Sequence, residues 1–582
     1  MTAAVEKPHS EIRFGPIDQA VAELEASARN WARMPPADKV EILEEIRDRL
    51  NSVASAWAKE AARQKQIPKG SPLEGEEWMS GPFALMTACN LLIDTLSGLN
   101  GKTFLRNIPL RRSTTGQVVA KILPHSIWDK LLLSGVNAEV WMQKGVTESN
   151  LASNTASAHD VPLDKRPGRV CLVLGAGNIA AIPPLDCFQK LFTENQVVLL
   201  KMNPVNEYLD VYLKEAFKPL IECGALRMVR GGVGVGRYLC NHPTIEEIHI
   251  TGSALSHDAI IWGMKGEQAA NKAAGTPKNS RRITSELGAV CPTIVVPGPW
   301  TTADLDFQAE HIATQKLHNS GFNCVACQML ILPDNWALTN NLMTRVEKVM
   351  AQVPGRSLYY PGAAGRMEEF SAKGDNVLSF KRPGADACVV TPLDDVDDAS
   401  AWFKTTEVFA PAMSTRRLAA ANAEQFLRQA VAFANDELYG TLGANILIHP
   451  DTIEEIGEET FEDIIAELRY GTIAINAWTG LGFLMPQCPW GAFPGHTLDD
   501  VQSGIGFVHN TYMFDKVERC VIRAPFRPFP RSLLGSGFSL LPRPPWFVTN
   551  RKQHKIGRLL TRFQYRPSWL KVPRIFLNAL LG

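Results

Sequence analysis

Three short segments of this 582-residue chain each set one reactive side chain among apolar or small residues. Glu286 lies in "SELGAVCP", Cys324 in "HNSGFNCVACQMLIL" and Glu407 in "TTEVFAPAM". A thiol nucleophile, a carboxylate base and a second carboxylate suit covalent catalysis, and their place downstream of a nucleotide-type sheet suggests coupling to hydride transfer. The sheet is announced by "RVCLVLGAGNIAAIPPLDCFQK", where the β-branched run Val170–Leu174 meets G-x-G-x-x-A at Gly175, Gly177 and Ala180. Glycines of this spacing let a strand turn sharply into a helix whose N-terminus faces pyrophosphate. Two readings stand at this point. The loop cradles a cofactor, or it delivers Asn178 to a reacting centre, since no acidic ribose partner follows where a dinucleotide fingerprint needs one.

The elements that must hold these residues alternate. Strand Val170–Leu174 leads to a helix through Phe188, then to strand Val197–Leu200, which ends beside Lys201. A helix through Tyr208, Val211, Tyr212 and Phe217 follows, then strands Leu226–Val229 and Ile248–Thr251. Such alternation implies a parallel sheet with helices on both faces, and a ligand at the carboxyl ends of its strands. Asn178, Lys201 and "TGS" (Thr251 to Ser253) fall there. A second α/β block is expected from Ile283 to about residue 485, with strands at Met329–Leu332 and "GANILIH". Before the sheet, residues 17–65 read as two amphipathic helices, the second with an apolar stripe of Val40, Leu43, Ile46, Leu50, Val53 and Trp57. "GQVVAKIL" reads as a strand, and "GLNGKT" lacks the first glycine of a phosphate loop.

Taken in order, the Asn178 loop, "LLKMNP", "HITGS", "SELG", "SGFNC", "EVFAP", "INAW" and "PWGAFPG" resemble the aldehyde dehydrogenase superfamily over roughly residues 20–525. "GFVHNTYMFDKVERCVIRAP" resembles that family's closing oligomerisation strand. The resemblance implies an α/β fold with a Rossmann-type cofactor domain, an α/β catalytic domain and a small oligomerisation sheet. On this chain it implies an NAD(P)-binding domain over 1–114 and 166–282 and a catalytic domain over 283–485. Oligomerisation or bridging segments would span 115–165 and 486–525, followed by a basic extension over 526–582. It also settles the loop in favour of Asn178, as an oxyanion donor.

By the same resemblance, Cys324 attacks an aldehyde as thiolate, because the thiol is a poor nucleophile. The Asn178 amide and the Cys324 backbone N–H stabilise the tetrahedral oxyanion; one such donor is worth about 3 to 4 kcal/mol in acyl-transfer sites. Hydride passes to nicotinamide, and Glu286 then deprotonates the water that hydrolyses the thioester. Lys201 would hold the adenosine ribose, Ser253 would lie near the pyrophosphate, and Glu407 would hold the nicotinamide ribose. Gly236, Gly252 and Phe409 complete the expected cofactor contacts. Glu286 favours an acid product over the acyl-CoA made by relatives lacking this base. The acylating alternative and a non-catalytic scaffold remain as rivals, although a scaffold needs none of Cys324, Glu286, Asn178 and Glu407.

Departures mark a divergent branch. Phe322 stands where the family usually has glutamine, and Ala289 and Ala410 replace glycines. Pro204 occupies the position where NAD-preferring members often carry glutamate, so NAD and NADP are both admitted, with Glu207 as another source of a carboxylate. Phe322, Trp478, Leu481 and Phe483 hint at a hydrophobic aldehyde. Cys327 makes C-x-x-C with Cys324; without a second pair or histidines it is poor evidence for zinc, so no metal is expected. A buried thiol and a reversible disulfide with Cys324 are its two readings. The long stretch between Ser253 and Glu286 reads as a solvated surface loop.

The balance of 60 basic and 60 acidic residues argues against a nucleic-acid-binding protein. Eleven scattered cysteines form no disulfide framework, "MTAAVEKPHSEIRF" has no apolar signal core, and no run is long enough to span a bilayer. A cytoplasmic homodimer or homotetramer acting on a small aldehyde is the resulting expectation. The charge is uneven, however: residues 526–582 hold 11 Lys or Arg and no acid, leaving the preceding chain at −11. That extension is either a strap over the acidic body or a neighbouring subunit, or a peripheral membrane contact.

Overall fold

The computed structural model describes residues 14–382, 385–393, 398–533 and 537–582. Two amphipathic helices, Gly15–Ala32 and Pro36–Gln64, open it. The second turns Leu43, Ile46, Leu50, Trp57 and Ala61 inward at helical spacing, with Val40 and Val53 packed at the margin of the same core. Full burial of each large side chain contributes about 1.5 to 3 kcal/mol.

The expected nucleotide-type sheet is present. Its six strands lie in the spatial order Gly504–Ile505, Arg282–Leu287, Glu247–Gly252, Val170–Leu174, Val197–Lys201, Leu226–Val229. All pair in parallel except the first, which runs antiparallel to Arg282–Leu287. Leu174 is in register with both Lys201 and Ile250, and Thr251 with Glu286. The carboxyl ends carrying the Asn178 loop, Lys201, Thr251–Ser253 and Glu286 are thereby brought side by side.

The second sheet has eleven strands. Its parallel centre runs Val517–Arg523, Thr472–Ile475, Gly443–Leu447, Cys291–Val295, Cys327–Pro333, Ala412–Leu418 and Ala385–Leu393. Leu378–Arg382 closes one edge antiparallel to Ala385–Leu393. At the other edge, Asn137–Met142, Val118–Leu123 and Leu110–Arg112 add antiparallel to Val517–Arg523.

Three boundaries shift. The strand bearing Glu286 belongs to the six-stranded sheet, so that sheet continues past residue 282 through Leu287. The "GQVVAKIL" strand of the 115–165 segment pairs with Leu110–Arg112, which lies ahead of that segment. The strands expected to make the small oligomerisation sheet continue the large sheet at its edge, through the pairing of Val517–Arg523 with Thr472–Ile475. The stretch after Ser253 is not an open loop. It forms helices Ala254–Ile261 and Gln268–Ala274, with His257, Ile261 and Trp262 buried and the Trp262 indole donating to the Leu498 carbonyl.

The extension beyond residue 525 packs back on the body. Phe526, Trp546, Phe547 and Val548 are buried in the hydrophobic cores beside helix Thr302–Leu317. Arg527 and Arg531 pair with Asp304, and Arg543 with Glu310. The strap reading is therefore correct for this part of the extension.

Candidate functional site

A cavity of about 770 Å³ opens at the carboxyl edge of the six-stranded sheet. All nine residues singled out from the sequence line it: Asn178, Lys201, Gly236, Gly252, Ser253, Glu286, Cys324, Glu407 and Phe409.

Cys324 sits in the turn that leads into strand Cys327–Pro333. Asn319, Ser320 and Gly321 precede it, all at positive φ (52°, 55° and 78°), and such a left-handed run reverses the chain sharply. Only glycine fits at 321, where an added Cβ would lie 2.6 Å from the Ala410 carbonyl oxygen. The glycine of "SGFNC" thus lets the Cys324 turn abut "EVFAP".

Glu286 accepts from the Trp490 indole N–H at 3.1 Å and lines the same cavity as Cys324. Burial lifts its carboxyl to about 7, Cys324 and the Trp490 indole oppose that rise, and Asp186 adds to it. Burial also pushes the Cys324 thiol well up, as do the facing carboxylates of Glu286 and Glu407. Both effects favour the protonated thiol at rest.

Asn178 donates its side-chain amide to the Phe322 carbonyl at 2.9 Å, two residues before Cys324. An amide nitrogen carries a second N–H. Among the described residues, the Cys324 backbone N–H donates to no acceptor. The Asn178 carbonyl is gripped by the Asn319 amide (3.2 Å) and the Tyr359 hydroxyl (3.1 Å). Asn319 in turn touches a buried ionic cluster: its N–H donates to Glu76 at 2.9 Å, and its side-chain oxygen accepts from Arg356 at 3.0 Å. Arg356 pairs with Glu76, and Lys65 with Glu77 at 2.9 Å. Buried charges persist when paired in this way, so the cluster fixes the Asn178 loop and the Cys324 turn together.

Glu407 is half-buried, its carboxyl is raised to about 8 by desolvation and by Glu286, and its buried Oε1 has no hydrogen-bond partner. Its carboxylate lies against Gly288, where an added Cβ would overlap it. This explains the glycine of "SELG" sterically. The "EVFAP" backbone is clamped by two side chains: Gln328 accepts from Val408 N–H at 2.8 Å, and Arg366 donates to the Val408 and Phe409 carbonyls at 2.8 and 3.1 Å. Phe409 itself is held at φ 44°, a costly conformation for a bulky residue.

Several participants escaped the sequence reading. Trp490 lay in a quoted motif, "PWGAFPG", without a role; Arg366, Tyr360, Arg237 and Lys278 lie in no quoted site motif and reach the cavity only through the fold. Conversely, Phe322, Trp478, Leu481 and Phe483 do not line the cavity. Phe322 joins an aromatic cluster with Tyr359, Tyr360 and Phe409, Trp478 packs on His318, and Phe483 packs on Trp490 and His509. They pack in the surrounding core, and this cavity adds no support to the expectation of a hydrophobic aldehyde. Cys327 is a buried thiol at the start of its strand, pushed up to about 11 by burial.

Residues 143–493, about three fifths of the chain, match the sequence model of the aldehyde dehydrogenase family. The chain belongs to that family. A putative aldehyde dehydrogenase of Staphylococcus epidermidis is 25% identical over 339 residues, 54% of this chain and 62% of the relative. The chain thus matches about three fifths of the length of this curated relative. Among solved structures, the fold is shared with a Mycobacterium tuberculosis aldehyde dehydrogenase complexed with NAD+ (TM-score 0.57, 18% identity, 87% of this chain and 89% of that one). It is shared equally with an aldehyde dehydrogenase of Pseudomonas syringae complexed with NAD+ and octanal (TM-score 0.57, 17% identity, 87% and 88%).

Proposed function

We propose that this chain oxidises an aldehyde to a carboxylic acid, using Cys324 as nucleophile and NAD or NADP as hydride acceptor. The observation that carries the reading is the convergence of Cys324, the Glu286 carboxyl and the unpartnered Glu407 Oε1 on one cavity.

The residues present fit such a cofactor. Glu407 Oε1 is a buried acceptor lacking a donor, which a ribose hydroxyl would supply. Gly232 and Gly236 leave open space where side chains would stand, and Ser253 caps helix Ala254–Ile261 at the sheet edge. Lys201, Arg237 and Lys278 line the wall and suit phosphate groups. Glu286 and Glu407 are the only carboxylates lining the cavity among the described residues, and Glu207 instead accepts from Gly231 N–H. The one acid that acts on Lys201, Glu207, does not line the cavity, which supports use of either coenzyme. When bound, the nicotinamide accepts the hydride released from the reacting carbon.

The remaining work falls to the chain. Glu286, ionised above about pH 7, takes the thiol proton as sulfur bonds to the aldehyde carbon. The second Asn178 amide N–H and the Cys324 backbone N–H then meet the developing alkoxide. After oxidation to the thioester, Glu286 releases that first proton to solvent, then removes a proton from water as it attacks the acyl carbon; as the carbon–sulfur bond breaks, Glu286 returns this proton to sulfur, regenerating the thiol and releasing the acid.

The test is formation of reduced coenzyme from short, long and aromatic aldehydes with NAD and NADP, using wild type and Cys324→Ala. Turnover lost in the variant, with acid as product, is the expected result. Turnover only when coenzyme A is present would replace hydrolysis by acylation. No chemistry with any aldehyde, with or without coenzyme A, would reject the reading.

A further inference from the structure

Three of the eleven basic residues beyond residue 525, Arg527, Arg531 and Arg543, are used against Asp304 and Glu310. The two helices that follow, Gln553–Tyr565 and Val572–Leu580, pack together and use their charge differently. Lys555, Arg558 and Arg562 form a solvent-facing stripe at helical spacing on the first, and Arg574 projects from the second. Among the described residues these four side chains make no ion pair. They converge with Leu559 and Asn578 on a recess of about 380 Å³ between the helices. Like charges one turn apart repel, so the arrangement is favourable only opposite an anion. Lys571 lies below the ordinary lysine range because it is partly desolvated and faces Arg566 and Arg562.

The second helix adds an inverted pattern. Ile575 is buried, while Leu577 and Leu580 are 59% and 57% exposed, one turn apart on the outer face. Just before this helix, Leu570 is 91% exposed and Trp569 is 60% exposed, its ring 4.5 Å from that of Trp128. A basic stripe and recess beside a solvent-facing apolar stripe match the interface of an anionic bilayer, where cations meet headgroup phosphates and apolar side chains enter the acyl boundary. Among the described residues no helix is long and apolar enough to cross a membrane, so this surface would lie on a bilayer.

We propose that helices Gln553–Tyr565 and Val572–Leu580 form a docking surface for anionic phospholipid bilayers, with the recess taking headgroup phosphate. The strap from 526 to 550 fixes this surface to the catalytic body through Asp304 and Glu310.

Sedimentation of the full chain with phosphatidylcholine vesicles containing one part in three phosphatidylglycerol tests it, with pure phosphatidylcholine vesicles as control. Binding is expected to the anionic vesicles alone, to weaken with salt, and to resist competition by inorganic phosphate. Each basic residue at such a surface is worth about fivefold in partitioning, so Lys555→Gln/Arg558→Gln/Arg574→Gln should weaken binding about a hundredfold. Leu570→Ser/Leu577→Ser should weaken it by a separate route and leave the salt dependence intact. All these positions face solvent, so the variants should keep the wild-type melting temperature; should the triple variant misfold, the leucine pair carries the test. No binding by wild type, or unchanged binding by the correctly folded variants, overturns the proposal. Full displacement by inorganic phosphate would reassign the recess to a free anion. Concentration-dependent self-association abolished by the leucine substitutions, without vesicle binding, would reassign the face to a second copy of the chain.

Discussion

Under the proposed mechanism, the state of Glu286 decides the pH dependence of thioester hydrolysis. Burial raises its carboxyl from 4.5 to about 7, while the Trp490 indole and the Cys324 thiol each hold it down. The hydrolytic base is the ionised form. A group titrating near 7 is about one-tenth ionised at about pH 6 and about nine-tenths at about pH 8, so deacylation should rise about tenfold across that interval. A carboxylate at its ordinary value would be ionised throughout and give a flat profile. Trp490→Phe removes one N–H donor to the charged form. A hydrogen bond to a charged group is worth about 1.5 kcal/mol or more, and one pH unit is about 1.4 kcal/mol, so the acid limb should move up by about one unit. The assay is deacylation after a pre-steady-state burst, when the sulfur is acylated and its own titration is silent. A flat wild-type profile, or a limb that moves down in Trp490→Phe, would refute the assignment of Glu286 as the desolvated base.

Other expectations follow from the same geometry. Gly288→Ala should displace the Glu407 carboxylate and weaken coenzyme binding about tenfold to a hundredfold, the worth of one charged hydrogen bond, as read by calorimetric titration. Arg366→Ala removes both carbonyl contacts that hold Val408 and Phe409, and denaturant unfolding should show a loss of about 2 to 3 kcal/mol. Asp304→Asn breaks the buried partner of Arg527 and Arg531, and should cost about 3 kcal/mol and speed proteolysis within 526–550. The folded Asp304 carboxyl is held well below its ordinary value by Arg527 and Thr301, against the cost of burial. Its contribution should therefore be complete above about pH 4 and fade as acid protonates the folded form, measurable as a melting-temperature difference between wild type and variant that narrows in acid.

The chemistry-bearing residues were legible because each sits in a short motif whose apolar or glycine context is local. Strand ends in a parallel sheet converge on one edge, so Asn178, Lys201, Ser253 and Glu286 could be brought together from the sequence before any contact was known. What escaped were side chains whose role depends on distant pairing. Arg366 lies over forty residues from the carbonyls it holds, and Glu76 and Lys65 lie far upstream of the turn they steady. Phe322, Trp478 and Phe483 do not line the cavity, because proximity in sequence to a motif says nothing about which face of the chain meets it. The stretch after Ser253 misled because charged and small residues populate short amphipathic helices as readily as loops. The thiol's protonation was also illegible, since it follows from two carboxylates converging on one sulfur.

The strand Val517–Arg523 joins Asn137–Met142 on one side and Thr472–Ile475 on the other, and so has a consequence for biosynthesis. Nearly four hundred residues separate its first partner from it. During synthesis from the N-terminus, the hairpin ending at Met142 leaves a bare strand edge until almost the whole body has been made. Such edges template unwanted pairing, and contacts this remote in sequence form slowly because a long loop must close first. The sheet's seam is thus the step at which a growing chain is most exposed to misassembly, and a nascent product arrested before residue 517 would carry an intact cofactor-type sheet beside an unsealed one.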